Sequence, residues 1–526
     1  MSDTTEAAVR RVPRPSPTLD GVCRQLEGIV EPAETALASS FAELFLAKAP
    51  PEFLQEQSTD ALAHVVLGAF RFLQRSQPGL VDVQVFDPSM ELEGWAAPVT
   101  VVRSNISDRP FIIDTMREYL HLQDFAIEYM IYPVLYVGRD ESGRIREIRA
   151  AEPGEPRESL VHCEVARATQ PVELEKIQRE VALRLQDVVC VTDDFHAMQH
   201  ATDVVAAELA ERADSLPDRY AELTEIQTFL GWLWQGAFVF LGYRAYDLVT
   251  EDGQVQLVVQ TGSGLGVLRN EANSSYAEAV PLENLKPESR ALFEDGPPLI
   301  INKTNSEATV HRRARMDYIG VKKLDALGKV AGEHRFIGLF TSRAYAEDAE
   351  TIPILRDKLR QIQDATAVAP DSHDYKEVKT IFNSMPKEEL FLTSAEQIGE
   401  DVRTVLTAYD TDEVRVALRG DILHRGVSAM VIIPGDRYST DVRKRVEKML
   451  VATFEGELLN FYLAPGGRDQ ARLQDSDGSS TAPLSESSTA PTAGSFTSRL
   501  PAPRSAPRRR PGNPRGAGRS VTWRPA

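Results

Sequence analysis

Apolar residues in the first hundred positions recur at intervals of three and four. Leu62, Val65, Val66, Ala69 and Phe70 form one such stripe, which predicts a helix with a single buried face. At Val99 the period changes to that of a strand. The β-branched run Val99–Asn105 is followed by Asp108-Arg109-Pro110 and then by Ile112, Met116, Tyr119 and Leu120 on one helical face. A long strand is expected over Phe125–Val137, with Pro133 marking a bulge or an edge, then a turn at Glu141-Ser142-Gly143 and a returning strand Ile145–Ile148. Leu160–Ala166 reads as another strand. Leu174, Ile177, Val181, Leu185 and Val188 complete a β-α-β-β-β-α order, which predicts a small α+β sandwich.

A helix over Ala221–Trp234 precedes strands at Phe238–Leu248, Val255–Gln260, Leu299–Asn302, Tyr318–Leu324 and Arg335–Thr341. Helices are expected at Ile354–Thr366, Tyr375–Phe382 and Ala395–Ala408. A shorter β-β-α-β set follows: Val414–Leu418, Val427–Ile433, a helical face of Val442, Val446, Leu450 and Phe454, and Leu458–Leu463. The fold class is therefore α+β. Its expected parts are an N-terminal helical region (21–95), a first sandwich (96–192), a helical connector (193–235), a central mixed domain (236–350), a helical segment (351–410) and a partial unit (411–465).

Composition changes this picture at the ends. Residues 466–526 hold ten Arg and four acidic residues, with no Lys and few large aliphatics, so they cannot bury enough apolar area to offset ordering and are expected to be disordered, as are residues 1–20. Arg508–Arg510 and the Arg-Pro-Gly runs fit a nucleic-acid arm, but ten Arg without a Lys also fit an out-of-frame reading of a GC-rich coding sequence. The whole chain carries a net charge of -19, which argues against nucleic-acid binding by the body. Cys23, Cys163 and Cys190 form no CxxC pair, which fits core thiols in a reducing compartment. The most apolar stretch, Tyr129–Val137, falls short of the ~18 residues that a membrane span needs. No apolar segment follows Arg10, Arg11 and Arg14 as a secretory signal would require, so the cytoplasm is the expected location.

Five features could carry chemistry. Gly262-Ser263-Gly264-Leu265-Gly266 follows a strand, as a phosphate-binding turn would, but lacks the G-x-G-x-x-G spacing and a following helix, so a plain turn is expected. His196 and His200 could share a helix face as metal ligands, yet Ala197 stands where a general base would, and Asp193-Asp194 read as a helix cap. Lys303, Arg312, Arg313, Arg315, Lys322 and Lys323 form a basic interval, expected to be a solvated face. Trp232, Trp234, Phe238 and Phe240 are expected in the core. The segment Ser104–Phe111 joins a strand to a helix N-terminus. Asn105, Asp108 and Arg109 could receive a carboxylate effector there; alternatively Asp108 is the N-cap, with Pro110 in the first turn.

Several long blocks, in sequence order, resemble the N-terminal portion of the large bacterial NAD-specific glutamate dehydrogenases. They are Ser104–Leu120, Ile131–Asp140, Phe238–Leu248, Gly262–Arg269, Thr309–Tyr345 and Asp371–Phe391. The resemblance spans roughly residues 20–465 and implies ACT-like regulatory domains for the sandwich units. It also implies a family reaction, NAD-dependent oxidative deamination of L-glutamate to 2-oxoglutarate and ammonia, whose catalytic and nicotinamide-binding domains lie far downstream. No catalytic or cofactor-binding residue carries over, so this chain is expected to be a truncated or frame-disrupted copy, inactive alone and without NAD or metal of its own. Expected partners are a catalytic domain supplied elsewhere, an amino-acid effector and further copies of the chain. The alternative is a stand-alone amino-acid-binding regulator with a basic tail.

Overall fold

The computed structural model describes residues 19–478, apart from 78, 169–170, 275, 367–371, 410–412, 421–425, 455–456 and 466–469. The chain divides into two units, 1–479 and 480–526, and every described residue lies in the first. The expectations for residues 1–18 and 479–526, including the Arg508–Arg510 run, fall outside the described residues.

Four helices open the chain: α1 (Leu19–Ile29), α2 (Thr35–Leu46), α3 (Pro51–Glu56) and α4 (Thr59–Arg75). The Ser58 hydroxyl caps α4 by accepting from the Ala61 N–H. All five residues of the Leu62–Phe70 stripe are fully buried.

The first sheet holds β1 (Asp82–Phe86), β2 (Val99–Ser107), β3 (Ile127–Ile131), β4 (Val134–Arg139), β5 (Ile145–Ala150) and β6 (Glu158–Ala166), in the order β1-β2-β6-β4-β5, with β3 also on β6. Helices α5 (Ile112–Leu122) and α6 (Pro171–Asp193) belong to the same unit. Two expectations are corrected. The N-terminal helical region (21–95) also contains an edge strand, β1. The single strand over Phe125–Val137 is two, because Pro133 lacks a ladder donor and its carbonyl instead accepts from Leu160. Strand alternation sends Val99 and Val101 into a core shared with α1, α2 and α4, whereas Val102 and Ile106 join one shared with α5 and α6. The sheet is thus covered on both faces, so β2 is buried along eight of its nine residues.

Helices α7 (Phe195–Ser215) and α8 (Tyr220–Trp232) lead into the second sheet. Its strands are β7 (Phe238–Glu251), β8 (Gln254–Val259), β9 (Leu265–Gly266), β10 (Val280–Pro281), β11 (Leu299–Glu307), β12 (Arg315–Leu324) and β13 (Val330–Phe340), with α9 (Pro287–Glu294) inserted before β11. The order is β10-β8-β7-β13-β12-β11. Short α10 (Ser342–Ala346) precedes α11 (Leu355–Thr366), α12 (His373–Asn383), α13 (Lys387–Leu392) and α14 (Ala395–Tyr409). Of the expected aromatic core, Trp232, Phe238 and Phe240 are buried while Trp234 is half-buried against it, and the Phe340 and Phe391 rings stack at 4.8 Å.

The third sheet, β14 (Arg415–Gly420), β15 (Gly426–Pro434), β16 (Glu457–Pro465) and β17 (Gln470–Gly478), runs β14-β15-β17-β16 and carries α15 (Thr440–Phe454). The compositional break at 466 therefore falls inside a sheet, since β17 pairs with both β15 and β16. All strand pairs among the described residues are antiparallel. No helix among them is long and apolar enough to cross a membrane.

Candidate functional site: the junction of the first two sheets

The segment after β2 does not build the expected cap. The N-cap of α5 is Phe111, in the left-handed region at φ 75° with no side-chain cap bond, and Pro110 lies outside the helix. Asp108 instead anchors to the segment that leads into β6: its N–H donates to the Arg157 carbonyl (2.8 Å) and its carboxylate pairs with the Arg157 guanidinium (3.2 Å). Asn105 donates to Glu158 Oε2 at 2.6 Å, and its buried Oδ1 has no protein partner. Arg109 reaches the C-terminal end of α6, donating to Ser107 O (3.1 Å), Thr192 Oγ1 (3.0 Å) and Asp193 Oδ1 (2.8 Å). A cation is favourable at a helix C-terminus, so this contact fastens α6 to the β2–α5 turn. The three side chains serve three separate attachments.

Asp194 occupies the N-cap position of α7 without a side-chain cap bond, correcting the helix-cap expectation. Its carboxylate accepts from the Gly266 N–H (2.8 Å) and pairs with Arg269 (2.7 Å). Although burial opposes ionisation, those two donors hold Asp194 below the ordinary carboxylate range. The N–H that a phosphate would need in the Gly262–Gly266 turn is thus taken by the protein's own carboxylate. Gly266 has φ 60°, and a Cβ there would stand 2.2 Å from the Leu241 carbonyl, so close backbone approach explains this glycine. His196 and His200 are exposed on α7, and no group of three metal-binding side chains occurs among the described residues.

The basic interval is a solvated face only at Arg313 and Arg315, which are exposed. Lys322 is fully buried against Glu333 (2.6 Å), Lys303 bridges Asp317 (2.7 Å) and Glu388 (2.9 Å), and Lys323 pairs with Asp247 (2.7 Å). Residues 308–314, which connect β11 to β12, reach instead across to the helices packed on the first sheet. Thr309 Oγ1 donates to Asp187 on α6 (2.6 Å), the His311 N–H donates to Thr115 Oγ1 on α5 (3.1 Å), and the Arg313 N–H donates to Glu118 (3.4 Å). His311 is left-handed at φ 72°, and its ring lies 5.1 Å from that of Phe111, so two non-glycine residues of unfavourable backbone meet at the junction.

Beside this contact is a small cleft of about 50 Å³, partly open to solvent, lined by Tyr119 and Glu118 of α5, Arg184 of α6, and His311, Arg312 and Arg313 of the connection. The Arg184 guanidinium carbon lies over the Tyr119 ring, 5.0 Å from its centroid. Burial, followed by the charge of Glu180, pushes the Tyr119 hydroxyl up to about 12, so it is a donor at neutral pH. Tyr119 and Arg312 appeared in the sequence as a core aromatic and a surface cation, and Arg184 drew no notice. Only the close run His311-Arg312-Arg313 hinted at a shared role.

Three family models match the chain in order: the ACT1 domain of glutamate dehydrogenase over residues 41–181, its helical motif 1 over 352–411 and its ACT2 domain over 415–475. The NAD-specific glutamate dehydrogenase of Halomonas elongata is 30% identical over 453 residues, covering 86% of this chain and 28% of that protein. The Pseudomonas aeruginosa protein of the same name is 27% identical over 439 residues (82% and 27%), and the Mycobacterium tuberculosis one 29% over 356 (66% and 20%). This chain spans only 20–28% of the length of these relatives. A solved RNA-binding light-oxygen-voltage receptor aligns over 62% of this chain and 90% of its own, at 12% identity and a TM-score of 0.12, too low to argue a shared fold.

Proposed function

The chain belongs to the family of NAD-specific glutamate dehydrogenases, and from that premise we propose that it is a regulatory and assembly region of such an enzyme. Oxidation of L-glutamate by NAD would be carried out by domains that these residues do not provide. The observation that carries this reading is the order ACT1, helical motif, ACT2, with the two ACT matches on the first and third sheets, whose described strands are all antiparallel. A dinucleotide site of the doubly wound type needs a parallel sheet and a glycine-rich turn free to meet pyrophosphate. The Gly262–Gly266 turn is occupied by Asp194.

The same proposal includes action in the cytoplasm, self-association, response to an amino-acid effector and a catalytic domain as partner. It treats residues 96–192, 236–350 and 411–465 as the working units. Asn105, Asp108 and Arg109 take a positioning role in it, holding β2, α5 and α6 in register, with any effector contact secondary. The test is NADH formation by the purified chain with L-glutamate and NAD. No turnover above a no-enzyme control is expected; sustained glutamate-dependent turnover would overturn the reading.

A further inference from the structure

We infer that the cleft between α5, α6 and the β11–β12 connection is a binding site for a small carboxylate anion, with Arg184 as its principal contact. The inference deepens the regulatory reading and rests on it for its biological meaning, although binding itself is measurable whether or not that reading holds.

Three observations converge on the cleft. The first is charge. Arg313 is neutralised by Glu307 (2.7 Å) and His311 lies 3.4 Å from Asp114, but among the described residues neither Arg184 nor Arg312 has a carboxylate within 4.0 Å. Arg312 spends one donor on the Phe340 carbonyl (2.9 Å), and Arg184 rests on the Tyr119 ring. Two cations without a carboxylate at ion-pair distance thus line one concavity in a chain of net charge -19.

The second is unspent hydrogen-bonding capacity. Tyr119 Oη and Arg184 Nε are buried and have no hydrogen-bond partner in the protein. A buried donor left without a partner is destabilising, so two side by side at one cleft mark a place that a ligand can relieve. Because these atoms are covered, a ligand gains them only by shifting the side chains over them.

The third is shape. The guanidinium is held over an aromatic ring, and its Nε edge offers two parallel N–H donors. That fork matches the two coplanar oxygens of a carboxylate, whereas an ammonium would serve as a point charge only. Glu118 and Glu307 on the same walls disfavour phosphate, whose charge of nearly two sits on one group, more than a dicarboxylate, which puts a single charge at the cleft. The site also lies where α5 and α6 meet the second sheet through Thr309, His311 and Arg313, so occupancy would bear on how the two sheets are held together.

The test uses the full chain in an anion-poor buffer, with glutarate as the carboxylate probe and inorganic phosphate as its comparator, measured by titration calorimetry and thermal shift. Glutarate is expected to bind saturably. Arg184→Gln should weaken it at least about tenfold, Arg184→Lys nearly as much because lysine lacks the fork, and Tyr119→Phe about threefold with the fold retained. Absence of saturable binding by the wild type, binding untouched by Arg184→Gln and Tyr119→Phe alike, or displacement of glutarate by equimolar phosphate would each overturn the inference. Failure here leaves the NADH assay unaffected, and turnover in that assay leaves the binding result standing, so the two readings fail separately.

Discussion

The first and second sheets both bury charge on their inner strands, and they balance it differently. In the first, Arg103, His162 and Glu164 lie in a row facing α2 and α4. Arg103 Nε donates to His162 Nδ1 (3.1 Å), and His162 Nε2 meets Glu164 Oε1 (3.2 Å). The arginine has no direct carboxylate, and burial pulls it down to about 9 despite Glu164 nearby. In the second, Glu333 is fully buried but meets three donors: Lys322 Nζ (2.6 Å), Tyr318 Oη (2.5 Å) and Arg335 (3.1 Å). Burial alone would raise Glu333, yet Arg335 and Lys322 outweigh it and hold it below the ordinary range. One row relays a single cation through a neutral imidazole, and the other concentrates donors on a single anion. The first should depend on protonation of the relay and the second on its central carboxylate.

The largest effect is therefore expected from Glu333→Gln. The amide preserves shape but leaves Lys322 and Arg335 buried without an anion, a situation that typically costs about 3–5 kcal/mol. Native-state hydrogen exchange in β12 and β13 reads the loss locally. Glu164→Gln, which removes a charge-assisted hydrogen bond to a neutral ring, should cost only about 1.5–3 kcal/mol in β2 and β6. Equal losses in the two sheets would break the comparison.

Acid should separate the sheets as well. Burial lowers His162 from 6.5, so the ring is neutral when folded and takes up a proton when unfolded. A depressed folded value means that its stabilisation is complete above the unfolded value and is lost as pH falls below it. The first sheet should thus weaken from about pH 6.5 downward, by at most about 1.4 kcal/mol per pH unit. Glu333 is also depressed, but from 4.5, so the second sheet should hold until more acid conditions. Exchange protection of β2 and β6 measured between pH 7 and 5 checks this, and His162→Gln should flatten the slope. A slope that survives the substitution assigns the proton uptake to another group.

What the sequence made legible follows from the same physics. Periodicity reported the helix stripes and most strands, because it records which faces are apolar. It could not report that a polar position such as Arg103, within a β-branched run, is covered by a second layer of helices 59 residues before its partner His162. The basic interval misled for that reason: Lys303 and Lys322 look solvated until β13 and α13 supply Glu333 and Glu388. The break at Pro133 and the edge strand β1 depend on hydrogen-bond pairing, which side-chain pattern does not encode. The junction cleft draws on α5, α6 and a connection more than a hundred residues later, so only the fold brings Tyr119, Arg184 and Arg312 to one place.

The smallest effect sharpens the comparison from the other side, by asking whether a charge pair next to a buried strand matters when the pair itself is not buried. Asp108 follows β2 directly and pairs with Arg157, whose side chain is half exposed. Exposed pairs contribute little, so Asp108→Ala should lower stability by less than about 0.5 kcal/mol in urea unfolding. Were Asp108 the N-cap of α5, the loss would be about 1 kcal/mol, with fraying of the first turn. The αL conformation of Phe111 argues for the smaller value, because the chain enters α5 through that residue and leaves Asp108 a turn away from the orphan N–H groups. A loss of 1 kcal/mol or more, accompanied by faster exchange at residues 112–115, would restore the cap and show that proximity to the strand outweighs exposure.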